Sequence, residues 1–215
     1  MAVLLLRFDS PMQSWGTESK LKDHPTDHVP SKSAIIGIIA SAEGRCRDAD
    51  ISDLRCMRFG VRIDALGKLL RDYHVYVNGG SFGRAKMLPN GHYIESIPSS
   101  DKNIGNRYYL QDAVFICGIE LPRERLEEIR YSLLHPANAL FCGRRCCPVT
   151  AELVGEIVEG TLETALKTDS GEHLAYLDAE NDLNESNIRI TRDDPMTFSP
   201  IKREYTFRKS RKVYL

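Results

Sequence analysis

Three short segments carry side chains able to grip a phosphate or a base. The first, Ser10-Pro11-Met12-Gln13-Ser14-Trp15-Gly16, follows an apolar run and sets the chain's only tryptophan in a loop. A lone Trp commonly anchors a core, but beside Met12 and Gln13 it can also clamp a base by stacking. The second is Pro30-Ser31-Lys32-Ser33, at the head of the apolar stretch AIIGIIASAEG. Free N–H groups and the helix dipole draw phosphate to a helix N-terminus, and Lys32 with the hydroxyls of Ser31 and Ser33 would reinforce that pull. The third is Gly143-Arg144-Arg145, two planar cations in a turn, suited to phosphate or to a carboxylate partner. Each has a plainer reading: a core anchor, a capped helix, a surface ion pair.

Other chemistries fit less well. Cys142, Cys146 and Cys147 lie close in sequence, as do His24 and His28, but neither group has the paired spacing of a structural zinc site. Residues 79–84 are glycine-rich yet lack the Lys-Ser/Thr of a phosphate-binding loop. No serine elbow or cysteine with a placed base is found, and no metal or cofactor is expected. Metal-independent RNA cleavage requires a base for the 2′-OH, an acid for the leaving group and a cation for the phosphorane. Tyr73, His74 and a nearby Lys or Arg could supply them; the plainer reading makes His74 an ordinary strand residue.

The elements that must position these groups follow from periodicity. Residues 2–9 are apolar and β-prone, a buried strand. Ser31 or Ser33 can cap a helix that Gly44 closes, with Ile35, Ile38, Ile39 and Ala42 on one face. Gly37, Ala40 and Ser41 leave a second face small enough for close approach. Met57, Phe59, Val61 and Ile63 alternate with Arg58, Gly60, Arg62 and Asp64, the cleanest strand signal in the chain. Residues 69–77 form another strand. Residues 78–107 are a turn-rich excursion containing Arg84 and Lys86, of a length that compact domains keep for function. A strand over 109–120 follows. Pro122 then opens a helix that buries Leu126, Ile129, Leu133 and Leu134 and ends by Pro136. A last strand over 149–158 completes strand–helix–strand, strand–helix–strand, the α+β ferredoxin-like plan shared by RRM-like RNA-binding modules.

Composition narrows the class. The 215 residues are 42% hydrophobic and 27% charged, as expected of a globular chain with a real core. No apolar run approaches the roughly 20 residues that span a bilayer, and the first run is too short for a signal peptide, so a cytoplasmic protein with no membrane partner is expected. Six cysteines in such a chain are expected to stay reduced. A formal net charge of −1 disfavours a stand-alone nucleic-acid binder working through bulk charge. Charge is nonetheless uneven: acids dominate residues 162–194 and bases dominate 202–212, an asymmetry expected of an interaction surface.

Taken in order, Ser-Pro-Met-Gln-Ser-Trp-Gly, Pro-Ser-Lys-Ser-Ala-Ile-Ile-Gly, Gly-Arg-Arg-Cys-Cys-Pro and Arg192-Asp193-Asp194-Pro195-Met196 resemble the Cas-five family of CRISPR-associated proteins, in the branch found in type I-E Cascade complexes. Asp72-Tyr73-His74 and Tyr109-Leu110-Gln111-Asp112-Ala113 fit the same pattern. The resemblance implies a ferredoxin-like domain over residues 1–158, a β-hairpin thumb inserted at about 78–108, and a small β-rich region over 159–215. It implies a non-catalytic subunit that caps the 5′ handle of the crRNA and docks against the Cascade backbone subunit and the large subunit, meeting target DNA only indirectly. Arg84, Lys86, Arg107 and Tyr108 would then join Met12, Gln13, Trp15, Ser31, Lys32, Ser33, Arg144 and Arg145 on the RNA. Relatives in another subtype cut repeat RNA themselves, which keeps the endoribonuclease as the alternative.

Overall fold

The computed structural model describes residues 1–16, 23–77, 86–87, 89, 93–94, 102–167, 171–179 and 187–215; side chains at 76–77, 86–87, 93–94 and 102–103 fall outside that description. In chain order the strands are β1 (Ala2–Gln13), β2 (Trp15–Gly16), β3 (Asp23–His24), β4 (Thr26–Asp27), β5 (Arg58–Ala65), β6 (Lys68–Val77), β7 (Lys86–Met87), β8 (Tyr93–Ile94), β9 (Lys102–Leu121), β10 (Val154–Glu159), β11 (Leu174–Asp178), β12 (Ile188–Thr197) and β13 (Glu204–Tyr214). The helices are α1 (Lys32–Ala42), α2 (Ser52–Arg55), α3 (Arg123–Leu134) and α4 (Leu162–Leu166). Mostly antiparallel strands and few helices make a mixed α/β protein.

One sheet organises the chain, in the order β10-β1-β9-β5-β11-β13-β12. Alternation along β1 shows why it sits inside the sheet, between β10 and β9. Leu4, Leu6 and Phe8 face the larger core under α1 and α3, while Val3 and Leu5 face a smaller core under α4. A strand covered on both sides must be apolar at every position, which is how Ala-Val-Leu-Leu-Leu reads. β5 follows its sequence pattern, with Phe59, Val61 and Ile63 buried and Gly60 lying against Leu162, Leu166 and Leu177.

α1 is capped by Ser31, whose hydroxyl accepts the Ala34 N–H at 3.3 Å, and it ends at Gly44 with φ +72°. The small face around Gly37 receives the Phe198 ring. α3 buries Leu126, Ile129 and Leu133, but Leu134 is exposed: it lies one residue past the buried stripe, at the helix end. The strand expected over 149–158 starts only at Val154, because Phe141 pairs with Pro148 and closes a turn first.

The excursion at 78–107 is shorter than the sequence implies. β9 begins at Lys102 and pairs with β6 from Lys68↔Gln111 to Val77↔Lys102. β5 and β6 together form one long ribbon with β9. The ribbon breaks at Gly67 (φ +68°) on one side and Asp112 (φ +54°) on the other. Beyond the break it becomes an arm, paired at its root with the end of β1 (Met12↔Gln111, Gln13↔Leu110) and further out with β3.

The C-terminal strands extend the same sheet outward from β5. A β-bulge in β12 between Thr191 and Asp194 lets two successive carboxylates turn toward α1. Asp193 accepts the Lys32 N–H at 2.9 Å and both arms of the Arg208 guanidinium. Asp178 accepts from Arg208 and from the Phe59 N–H. Lys32 Nζ lies 3.7 Å from Asp194 and 4.0 Å from Asp178, and donates to the Arg55 carbonyl. Burial pushes the Asp193 carboxyl up. The hydrogen bonds and charge of Arg208, with the Lys32 N–H and Thr191, outweigh that and hold it below its ordinary value.

This network sets a stability prediction. Asp193→Asn leaves Arg208 short of its buried partner and should cost about 3–5 kcal/mol in urea denaturation at neutral pH. Because Asp193 titrates lower when folded, its contribution is complete above the unfolded carboxylate value of about 4 and is lost as pH falls below that. The difference between wild type and Asp193→Asn should therefore shrink on acidification; a difference constant down to pH 2 would contradict this assignment.

Candidate nucleic-acid interface

The segment at residues 10–16 is a buried frame. Trp15 is fully buried and meets Phe8 edge-on, with centroids 5.1 Å apart. Gln13 Nε2 donates to the Ala113 carbonyl at 2.7 Å and to that of Phe8. Met12 is half-buried against the core. A ring with no exposed face cannot stack on a base, so Trp15 acts here as the core anchor.

The Arg-Arg turn docks on that frame. The Ser14 N–H donates to the Cys142 carbonyl at 3.0 Å. Gly143 sits so close that a Cβ there would overlap Ser14 O, and its φ of +90° favours glycine independently. Arg144 donates to the carbonyls of His24 (2.7 Å) and Tyr108 (3.4 Å), and its guanidinium stacks 5.0 Å from the Tyr109 ring. One side chain thus ties the turn to β3 and to the base of the arm. Ser14 Oγ donates to the same Tyr108 carbonyl. Arg145 and Arg107 remain exposed and Tyr108 is half-buried; Arg107 and Tyr108 are successive on β9 and so face opposite sides.

The helix N-terminus is occupied otherwise than the sequence implies. Its leading N–H already serves the Asp193 carboxylate, and Lys32 is turned inward among Asp178 and Asp194. Ser31 is consumed as the cap and shares a hydroxyl contact with Ser33 at 3.2 Å. The anion expected there is supplied by the chain itself. The sequence signal is Arg192-Asp193-Asp194, an acidic pair whose distant partner no local pattern reveals.

Arg84 lies outside the described residues, as does the side chain of Lys86. The arm carries exposed Leu69, Tyr73, Val75 and Ile104, which belong to one face by register. Arg71, on that face, donates to Asn106. Tyr73 and His74 are successive strand residues and so point to opposite faces. His74 pairs with Asp72 at 2.7 Å, which leaves that duo unable to converge on one phosphate.

A mostly antiparallel α/β protein with a projecting two-stranded arm is the class that fold and surface define. The family model described as CRISPR-associated protein (Cas_Cas5) matches residues 3–211, and the chain belongs to that Cas5 family. It is 31% identical over 157 residues to the CRISPR system Cascade subunit CasD of Escherichia coli (strain K12), covering 70% of this chain and 68% of that protein. A solved structure described as a CRISPR RNA-guided surveillance complex matches with TM-score 0.77 at 27% identity, over 99% of this chain and 89% of the other. A crystal structure of a Cas protein matches with TM-score 0.72 at 28% identity, over 99% and 94%.

Gly143→Ala tests the docking of the turn. The strained φ and the overlap with Ser14 should cost at least about 1–3 kcal/mol in denaturant unfolding. An unchanged midpoint would show that the turn does not rest on residues 10–16.

Proposed function

We propose that the chain is a non-catalytic subunit of a type I-E Cascade ribonucleoprotein, built on a ferredoxin-like domain, that caps the 5′ handle of the crRNA and bridges the backbone and large subunits. Its four inner strands, β10-β1-β9-β5, with α1 and α3, support the ferredoxin-like reading: they are the fourth, first, third and second strands of a βαββαβ unit. Residues 159–215 form the C-terminal β region, and the arm is the thumb, beginning at Lys68 and Gln111 rather than at residue 78. No helix among the described residues is long and apolar enough to cross a membrane. The subunit acts in the cytoplasm.

The observation that carries the reading is the Arg144 anchor, which ties the turn bearing exposed Arg145 to the root of the arm, where Arg107 is also exposed. Two exposed cations at the root of the arm suit a single strand, resting on its phosphates, while Tyr108 stands on the opposite face of β9 from Arg107. Met12, Gln13, Trp15, Ser31, Lys32 and Ser33 hold the frame and act on RNA through it. Arg84 and Lys86 extend the contact along the thumb.

Arg107→Ala with Arg145→Ala should weaken binding of a labelled handle RNA about tenfold at moderate salt. The slope of log K against log salt should fall by about 0.7 for each phosphate no longer neutralised. Lys32→Ala should instead lower stability by about 3–5 kcal/mol with the salt slope unchanged. Retained affinity and slope in the double variant would remove those two arginines from the interface.

The nuclease alternative predicts specific cleavage of repeat RNA by the purified chain in EDTA. The expected result is intact RNA; cleavage abolished in His74→Ala would replace the binding reading with the catalytic one.

A further inference from the structure

Among the described residues, the sheet face that holds the smaller core is covered only in part. α4 lies over its inner part, burying Leu162 and Leu166 against Val3, Leu177, Gly60 and Gly118. Glu163 on the same helix forms an ion pair with Arg211 of β13 at 2.5 Å. α4 is five residues long, and the outer strands continue past it. There Phe207 is 73% exposed and Ile190 is 61% exposed. Ile190 pairs directly with Lys209, which is also exposed, and Arg192 lies over the Phe207 ring at 6.0 Å. These side chains share one face. The opposite face of the same hairpin carries Arg208 and Asp193 inward to the buried network.

A large aromatic and an isoleucine side by side, rimmed by cations, mark an interaction surface. The chain itself shows what such a surface accepts. Where α4 covers it, the covering element is a short helix with leucines beneath and a carboxylate reaching a β13 arginine. We infer that the exposed outer part of this face, Ile190, Arg192, Phe207 and Lys209, docks an acidic amphipathic segment of a neighbouring protein subunit, continuing alongside α4 in the same chemistry. Nucleic acid is the less favoured occupant, because a single ring beside an aliphatic side chain offers little stacking for successive bases. The inference rests on the ribonucleoprotein reading and deepens it by assigning a protein-facing surface distinct from Arg107 and Arg145.

The test uses the full chain co-expressed with the Cascade protein subunits and a crRNA. Phe207→Asp and Lys209→Glu, both at exposed positions, should each reduce the chain's incorporation into the complex at least about tenfold, with circular dichroism and handle-RNA affinity of the isolated chain as in wild type. A photo-crosslinking amino acid at position 207 should join an acidic stretch of another protein subunit. Full incorporation of both variants, or a crosslink into RNA or into a second copy of this chain, would overturn the inference. If the wild-type chain itself fails to enter the complex, the ribonucleoprotein reading falls instead.

Discussion

The fold depends on a balanced cluster of buried charge. Lys32, Arg55 and Arg208 meet Asp178, Asp193 and Asp194 where α1, β5 and the C-terminal strands converge. Isolated, any of these groups would be costly to take out of water; together each charge is met, and the Lys32 and Phe59 N–H groups add hydrogen bonds to Asp193 and Asp178. The cluster also has direction. A hydrophobic contact would tolerate sliding, whereas Asp193, held bidentately by Arg208 within the C-terminal hairpin, accepts the Lys32 N–H and so fixes the hairpin relative to α1. That placement in turn sets Arg189 on Asp27, in the loop that pairs with the Trp15 strand.

Local patterns encode much of this. The alternation of residues 57–64, the Ser31 cap with Gly44, and the buried stripe of α3 all depend on near neighbours, and all are found where periodicity puts them. The strand order does not follow from periodicity, but the succession of elements already limits it. What local pattern misses is long-range and electrostatic. Lys32 looks like a phosphate ligand because its sequence neighbours are hydroxyls and a helix start; its carboxylate partners, Asp178 and Asp194, lie more than 140 residues away. Trp15 beside Met12 and Gln13 reads equally well as clamp or anchor, and only burial separates the two. The arm is hidden for another reason: residues 102–107 contain Gly and Asn, weak strand formers, and are held extended by pairing with β6.

The motifs therefore divide by task. Residues 10–16 and 30–37 look outward on paper and work inward, one as a platform for the Arg-Arg turn and the other as a partner for the C-terminal carboxylates. Arg144 belongs with them, since its donors are spent on carbonyls. The side chains left to meet a ligand are those flanking these fixtures. A family motif can thus hold a surface in place from beneath.

β9 carries one more implication. It runs from the arm through the break at Asp112 into the sheet, where β1 lies on one side and β5 on the other. Its ladder bonds lie across the strand, so tension applied along the arm loads many of them at once in shear instead of peeling them in succession. Tension along the arm would therefore meet the mechanical resistance of the strands that flank β9.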